Sequence, residues 1–361
     1  MSDAAHGRAT EYLHDTRGRL VGERGPDGSL QHRAMDTVGN LYRHPGLKDR
    51  RYGPGGRLQE ADGTRYAYDA DGNLTEKHTP QGTWRYGWNG TGLLREVQRP
   101  DGVRVHLSYD ALARRTRKVV LGADAEGSPA LRREVRFVWD GHVPLHEVAS
   151  SEDLTTWLFE PESFSPLARE DATGRYAVVT DHLGAPTEMY DEMGQLAWRM
   201  QLDAFGVGKA DVALQDCPWR WPGQYEDEET DLLYNRFRYY DAYAGRYISQ
   251  DPLGLAAGPS LYGYPEDPLS ATDPLGLSKC TKKGRIKEAQ LPTRGKVRYV
   301  PPKNWHPSQP LPRGPDSGYM DKFGNEWTKG PSRTKGQTFE WDVQRPDGTH
   351  WNISLDGKVT H

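Results

Sequence analysis

The sequence predicts a mostly β protein: a spiralling array of β-hairpins followed by a small α+β or all-β C-terminal domain. Three observations carry this prediction. Degenerate units recur at a short spacing, turn residues punctuate them, and the charge balance changes sign near residue 277.

The units are "YLHDTRGRL", "AMDTVGNLYR", "RYGPGGRL", "YAYDADGNL", "YGWNGTGLL" and "LSYDALARR", all between residues 12 and 121. Their aligned small residues are Gly18, Gly39, Gly56, Gly72, Gly92 and Ala113, spaced 16 to 21 apart. Second turns, "GPDG" at 25–28, "PQG" at 80–82 and "RPDG" at 99–102, fall between them. Turn, short alternating strand, turn is the pattern of successive hairpins. Self-similarity at a fixed short period points to a stacked array and away from a sandwich. Residues 122–176 read as less regular, with strand candidates in "LRREVRFVWDG" and "TTWLFEPESFSPLARE". The array resumes at Arg175 and runs into "WRWPGQYEDEETDLLYNRFRYYDAYAGRYISQDPLGL". A helical turn is expected only in "EDEETDLLYNRF". The predicted divisions are 1–211 for the array, 212–277 for a distinct closing segment and 278–361 for the C-terminal domain.

Composition narrows the class. With 40 Gly and 26 Pro the chain is rich in turns, and Tyr and Trp, at 19 and 11, outnumber the 7 Phe. Tyr and Trp suit thin sheets with one wet face. No apolar run approaches the roughly 18 residues of a membrane span. The N-terminus shows no classical signal peptide, so synthesis in the cytoplasm and export by another route are expected. Cys217 and Cys280 do not make a disulfide framework. Residues 278–361 hold 16 Lys and Arg against 8 Asp and Glu, while residues 1–277 hold 31 against 43. A basic tail on an acidic body predicts a polyanionic target for the tail.

The pentapeptide Asp-Pro-Leu-Gly-Leu occurs twice, at 251–255 and at 273–277, and the charge switch follows the second copy. The repeat units resemble those of Rhs/YD-repeat proteins, and "PGQYEDEETDLLYNRFRYYDAYAGRYISQDPLGL" resembles the Rhs core-associated segment along nearly all its length. The resemblance extends over about residues 12–277. It implies a β-strand shell that encloses a C-terminal toxin, and an aspartyl-type self-cleavage after the last motif. Carried over by position, the catalytic pair is Asp251 and Asp273, and the cut lies between Leu277 and Ser278. Two carboxylates brought together share a proton, so that one serves as base and the other as acid. Some family members carry Arg immediately before the first Asp, where this chain has Gln250. A shell of that kind needs more strands than 277 residues supply, so a truncated or orphan copy is expected.

The tail opens with a basic lead at 278–300, continues through a Pro-rich stretch at 301–318 and ends in short alternating strands. "RPDG" at 345–348 joins "TFEWDVQ" to "THWNISL" as a hairpin. Alternation puts Phe339, Trp341 and Val343 on one face and Glu340, Asp342 and Gln344 on the other, with His350 and Asn352 on the acidic side. Asp342 and His350, with Glu340 assisting and Arg333 and Lys335 holding phosphate, make a set able to cleave RNA without a metal. His306 is the reserve imidazole. Lys282, Lys283, Arg285, Lys287, Arg294, Lys296 and Arg298 are the candidate RNA-binding residues. No cofactor and no metal are expected; no zinc-type Cys/His cluster, phosphate-binding loop or Gly-x-Ser-x-Gly is present.

This tail resembles the polymorphic toxin type 17 domain and, over about 30 residues, the ribosome-cleaving colicins. Asp342 matches a catalytic Asp of those colicins, whereas Arg345 stands where they have a catalytic His. The resemblances imply an antibacterial ribonuclease toxin, delivered by type VI secretion into the target-cell cytoplasm. RNA, with the ribosome as a candidate, a cognate immunity protein, and a secretion adaptor or chaperone are the implied partners. A DNase or ADP-ribosyltransferase tail on the same carrier, and a non-enzymatic cell-surface repeat protein, remain the alternatives.

Overall fold

The computed structural model of the chain describes all residues except 1, 4–7, 17–18, 26, 125, 150–151, 162, 278–285, 287–288, 293–294, 303–304, 306–310, 333, 335 and 361. It forms two compact units, Met1–Lys279 and Cys280–His361.

Sixteen strands of the first unit form one sheet, from Arg50–Tyr52 to Gly208–Ala213, each antiparallel to its neighbour in sequence. The turns explain this order. At Asp69 the backbone N–H binds the Asn73 carbonyl at 2.9 Å, and the Asp69 carbonyl accepts from Gly72 N–H at 3.2 Å. The Asp69 carboxylate accepts the Asn73 N–H at 2.8 Å on Oδ1 and the Asn73 amide at 3.1 Å on Oδ2. Gly72 has φ +84, which an L side chain resists. The Asp thus closes the turn through its own side chain, and the Gly supplies the left-handed residue. The same contacts recur at Asp36 and Asn40.

The stretch 122–176 does not interrupt the sheet, contrary to the irregularity expected there. Strands Pro129–Asp140, Val143–Ala149, Leu154–Phe159 and Pro166–Asp171 continue the pairing. The signature is hidden because Glu152, not Gly, takes the positive φ of +63 in the Ala149–Asp153 turn.

Alternation gives the sheet one apolar face. In Arg104–Tyr109, Val105 and Leu107 are buried and Arg104 and Ser108 are exposed. Against this face packs a second sheet of Tyr225–Asp227, Leu232–Asn235, Arg238–Asp241 and Arg246–Tyr247. Its Tyr225, Leu232, Tyr234 and Tyr239 join Val105, Phe137, Trp157 and Met189 in one core. Leu233 and Tyr240 on its other face enter a second core with Trp221 and Tyr264. The helical turn expected in residues 226–237 is therefore a hairpin. A strand buried on both faces shows no polar alternation, so its sequence does not announce a strand.

A buried ion cluster fastens this inner sheet. Arg115 and Lys118 both bind Asp227, Lys118 also binds Glu229 at 2.8 Å, and Glu229 meets Arg133 at 3.1 Å. Burial alone would push Asp227 up; the Arg115 and Lys118 charges override it and hold the carboxyl below its usual range.

The second unit carries a four-stranded antiparallel sheet of Tyr319–Met320, Glu326–Pro331, Phe339–Gln344 and His350–Ile353. Trp327, Trp341, Val343 and Ile353 form its core with Leu291, Tyr299, Trp305 and Leu311.

Candidate self-cleavage site and candidate nuclease face

Asp251 and Asp273, 22 residues apart, meet on one guanidinium. Arg238 Nη2 lies 2.8 Å from Asp251 Oδ2 and 3.0 Å from Asp273 Oδ2. All three side chains are buried. Arg238 Nε donates to the Gly276 carbonyl at 2.5 Å, and Nη1 to the Leu261 carbonyl at 3.3 Å. The Tyr247 hydroxyl donates to Asp273 Oδ2 at 3.0 Å. Burial, then the neighbouring Asp273, pushes the Tyr247 phenol far up, so it stays a donor.

The second pentapeptide is built as a repeat turn. Gly276 N–H binds the Asp273 carbonyl at 3.3 Å, Gly276 has φ +71, and Leu277 N–H binds Asp273 Oδ1 at 3.0 Å. Two contacts of the Asp69 turn recur here, the Gly N–H on the Asp carbonyl and the following N–H on Oδ1. Leu277 occupies the position of Asn73 and has no amide to offer Oδ2, which turns to Arg238 and Tyr247 instead. Asn235 fixes the turn from behind, its amide donating to the Asp273 carbonyl at 2.9 Å.

The first pentapeptide places Asp251 less firmly. Its Oδ1 accepts the Leu253 N–H at 2.9 Å. Burial raises the Asp251 carboxyl, Arg238 draws it down and Asp273 adds to the rise; the net direction is upward. A raised carboxyl beside a well-bonded carboxylate is the asymmetry that acid–base hydrolysis needs.

Sequence reasoning thus brought Asp251, Asp273 and Leu277 together but missed Arg238 and Tyr247. Ser278 lies outside the described residues. Gln250 does not fill the missing arginine's place: its amide packs against Gly72, where a Cβ would meet it.

In the second unit the predicted hairpin forms, with Asp342 opposite Asn352 and Gln344 opposite His350. Asp342 and His350 share a face but stand one pair apart, a diagonal of roughly 7–8 Å between strands. Trp341 and Val343 are buried on the other face. Asp342 Oδ1 is shielded from solvent and has no hydrogen-bond partner among the described residues. Glu340 is buried; its carboxylate accepts the Thr334 hydroxyl at 2.5 Å and the Thr360 hydroxyl at 2.8 Å. His350 is exposed. Of the predicted RNA-binding set, Lys296 and Arg298 are exposed, and Lys282, Lys283, Arg285, Lys287 and Arg294 lie outside the described residues. So do Arg333, Lys335 and His306. No metal-binding cluster of His, Cys, Asp or Glu occurs among the described residues. No described helix is long and apolar enough to cross a membrane.

Comparison with known proteins locates both units. Residues 4–256 match the Teneurin YD-shell family, and residues 280–361 match the family described as novel toxin 17. Double-stranded DNA deaminase toxin A of Burkholderia cenocepacia is 34% identical over 321 residues, 81% of this chain and 22% of that protein. Toxin protein Tse5 of Pseudomonas aeruginosa is 37% identical over 262 residues, 62% of this chain and 19% of that protein. The tRNA nuclease WapA of Bacillus subtilis is 24% identical over 277 residues, 72% of this chain and 11% of that protein. The chain therefore spans about a fifth or less of these relatives' length. Among solved structures, the TcdB2–TccC3–TEV crystal structure matches with a TM-score of 0.45 and 17% identity, over 75% of this chain and 18% of that one. A YD-shell of paired hairpins, ending in a repeat-type turn and followed by a novel toxin 17 domain, places this chain in the Rhs/YD-repeat polymorphic toxin family.

Proposed function

We propose that this chain is a toxin that cuts itself between Leu277 and Ser278 and releases residues 278–361 as a ribonuclease. The observation that carries the first step is the meeting of Asp251 and Asp273 on Arg238, inside the turn that ends at Leu277. The step balances as a hydrolysis. The ionised carboxylate takes a proton from water, and the water oxygen bonds to the Leu277 carbonyl carbon. The Leu277–Ser278 bond breaks, and the protonated carboxyl gives its proton to the leaving Ser278 nitrogen. The products are a Leu277 carboxylic acid and a Ser278 amine, which exchange a proton to the carboxylate and ammonium.

For the released domain, the supporting observation is Asp342, whose Oδ1 has no hydrogen-bond partner among the described residues and which shares a face with exposed His350. A shielded carboxylate oxygen with no partner among the described residues is costly to the fold, which favours a chemical over a structural role. His350 takes the 2′-hydroxyl proton and Asp342 protonates the leaving 5′-oxygen, or the reverse, while the basic lead holds the strand. The buried, bonded Glu340 supports the face. Secretion machinery and an immunity protein that silences the domain in the producing cell are the proposed partners.

A second reading keeps the carrier and changes the target to DNA, in line with the name of the DNA deaminase relative. The test is expression of residues 278–361 in a growing culture with total RNA and DNA run side by side. RNA loss with intact DNA supports the ribonuclease; intact RNA with damaged or deaminated DNA supports the second reading.

A further inference from the structure

We propose that the first unit holds a binding site for one small anion of chloride's size, in an aromatic cavity between its wall and its inner sheet. The site serves neither step proposed above.

The cavity has about 20 Å³ of free space, room for one water-sized occupant. Arg115, Phe137 and Phe159 line it from the wall, Tyr225, Tyr234 and Arg236 from the inner sheet and its turn, and Trp219 from the segment between. Pro274 lies at its border, but no Asp or Glu lines it.

Two buried side chains in this lining carry unmatched donors. Arg115 is 1% exposed and Trp219 4%. Arg115 Nη1 binds Asp227 and lies 3.4 Å from the Tyr239 hydroxyl. Its Nε and Nη2 are shielded from solvent and have no hydrogen-bond partner among the described residues, and the same holds for the Trp219 indole nitrogen. Shielded N–H groups left unbonded are costly, so an acceptor belongs in the space they share. Rings cover the faces of the guanidinium: its carbon lies 4.7 Å from the centre of Phe137, 5.1 Å from Tyr225 and 4.4 Å from Tyr234. What remains for an occupant is the Nε–Nη2 edge, two parallel N–H groups on a permanent cation.

Charge favours an anion over a water. Arg115, Lys118 and Arg133 share two carboxylates, Asp227 and Glu229. Arg236 donates to the Leu112 carbonyl at 2.9 Å and to His142 Nδ1, and pairs with no carboxylate among the described residues. Burial, then the Arg236 charge, hold the His142 imidazole down, so it stays an acceptor there. Positive charge is thus in excess around the cavity. A water would bring two hydrogens that these donors cannot use, whereas a halide accepts from all of them. Charge-assisted bonds to Arg115 offset the hydration the halide loses on burial.

The experiment is urea unfolding of the full chain at fixed ionic strength, with sodium chloride replaced stepwise by sodium gluconate, whose anion is too large for the cavity. Each tenfold rise in chloride above its dissociation constant should raise the folding equilibrium constant about tenfold. Bromide should act in the same way and, in a crystal, give an anomalous peak between Arg115 and Trp219. Trp219→Phe keeps a ring and removes one donor, so the chloride needed for the same effect should rise about tenfold or more. Arg117→Met, which alters an exposed arginine paired with Glu134, should keep the wild-type response. Equal stability in chloride and gluconate overturns the proposal. So does a chloride response that Trp219→Phe leaves unchanged, or a cavity that holds water in bromide-soaked crystals. If Trp219→Phe does not fold, the bromide peak decides: its presence in the cavity upholds the site and its absence refutes it.

Discussion

Tyr247 donates its hydroxyl to Asp273 Oδ2 at 3.0 Å, the same oxygen that Arg238 binds. Tyr247→Phe removes one of the donors that hold this carboxylate. Fragment formation should slow about tenfold at neutral pH, a change of about 1.4 kcal/mol in barrier. Net stability should fall by only about 1 kcal/mol, the usual worth of one hydrogen bond. Intact mass over time and urea unfolding measure the two.

Asp227 is the anion of a buried cluster. Asp227→Ala would leave the buried Arg115 guanidinium without its carboxylate and Lys118 with Glu229 alone, at a cost of about 3–5 kcal/mol. The Asp227 carboxyl is depressed in the folded chain. Its contribution is therefore present above its unfolded pKa, near ~3.9, and lost as pH falls through the lower folded value. Wild type should lose urea resistance below about pH 4, and the Ala variant should show a flatter acid limb.

Gly72 holds φ +84, and a Cβ there would meet the Tyr262 hydroxyl at 2.7 Å and the Gln250 amide. Gly72→Ala should destabilise by at least the ~1–2 kcal/mol of a left-handed L residue. It should also slow self-cleavage, because Gln250 adjoins Asp251. Ala at Gly63, which has φ +74 and nothing within 4 Å, should cost stability without slowing the cut.

Glu340 and Asp342 should separate by variant. Glu340→Ala strands the Thr334 hydroxyl, while Thr360 keeps its bond to the Asn352 carbonyl, and should lower the stability of the released domain by about 1–3 kcal/mol. Asp342→Asn should leave stability unchanged or raised, while RNA cleavage drops about 10²–10⁴-fold. His350→Ala should match that loss, and EDTA should change nothing. A fluorogenic RNA assay and thermal unfolding of the 278–361 domain decide.

The repeats were legible because Asp and Gly recur where the turn contacts need them, as at Asp69 and Gly72. They vanished from view at Glu152, where the backbone keeps the turn and the side chain does not advertise it. The hairpin of the second unit was legible by alternation through Phe339–Val343. Its register was not: the one-pair offset between Asp342 and His350 follows from the Arg345–Thr349 turn, with the Arg345 N–H on the Thr349 carbonyl at 2.8 Å. Arg238 was invisible because nothing in "RFRYYD" distinguishes it from Arg236, which instead donates to the Leu112 carbonyl at 2.9 Å. Arg238 finds its partners 13 and 35 residues on, a long-range fact that no local pattern encodes.

Strictly sequential pairing has a consequence in time. Each wall strand finds its partner a few residues away, so little chain entropy opposes its closure and the wall can grow hairpin by hairpin from its N-terminal side. The inner strands also pair with their neighbours in sequence, but their contacts with the wall span long stretches of chain. Lys77 reaches Asp241 across 164 residues, and the Tyr262 hydroxyl reaches the Gly72 carbonyl across 190. Their closure costs the most chain entropy, so they are expected to form after the wall. Asp251 and Asp273 lie within that late segment, so the fold itself acts as a clock: the cutting pair assembles only after its surroundings are complete.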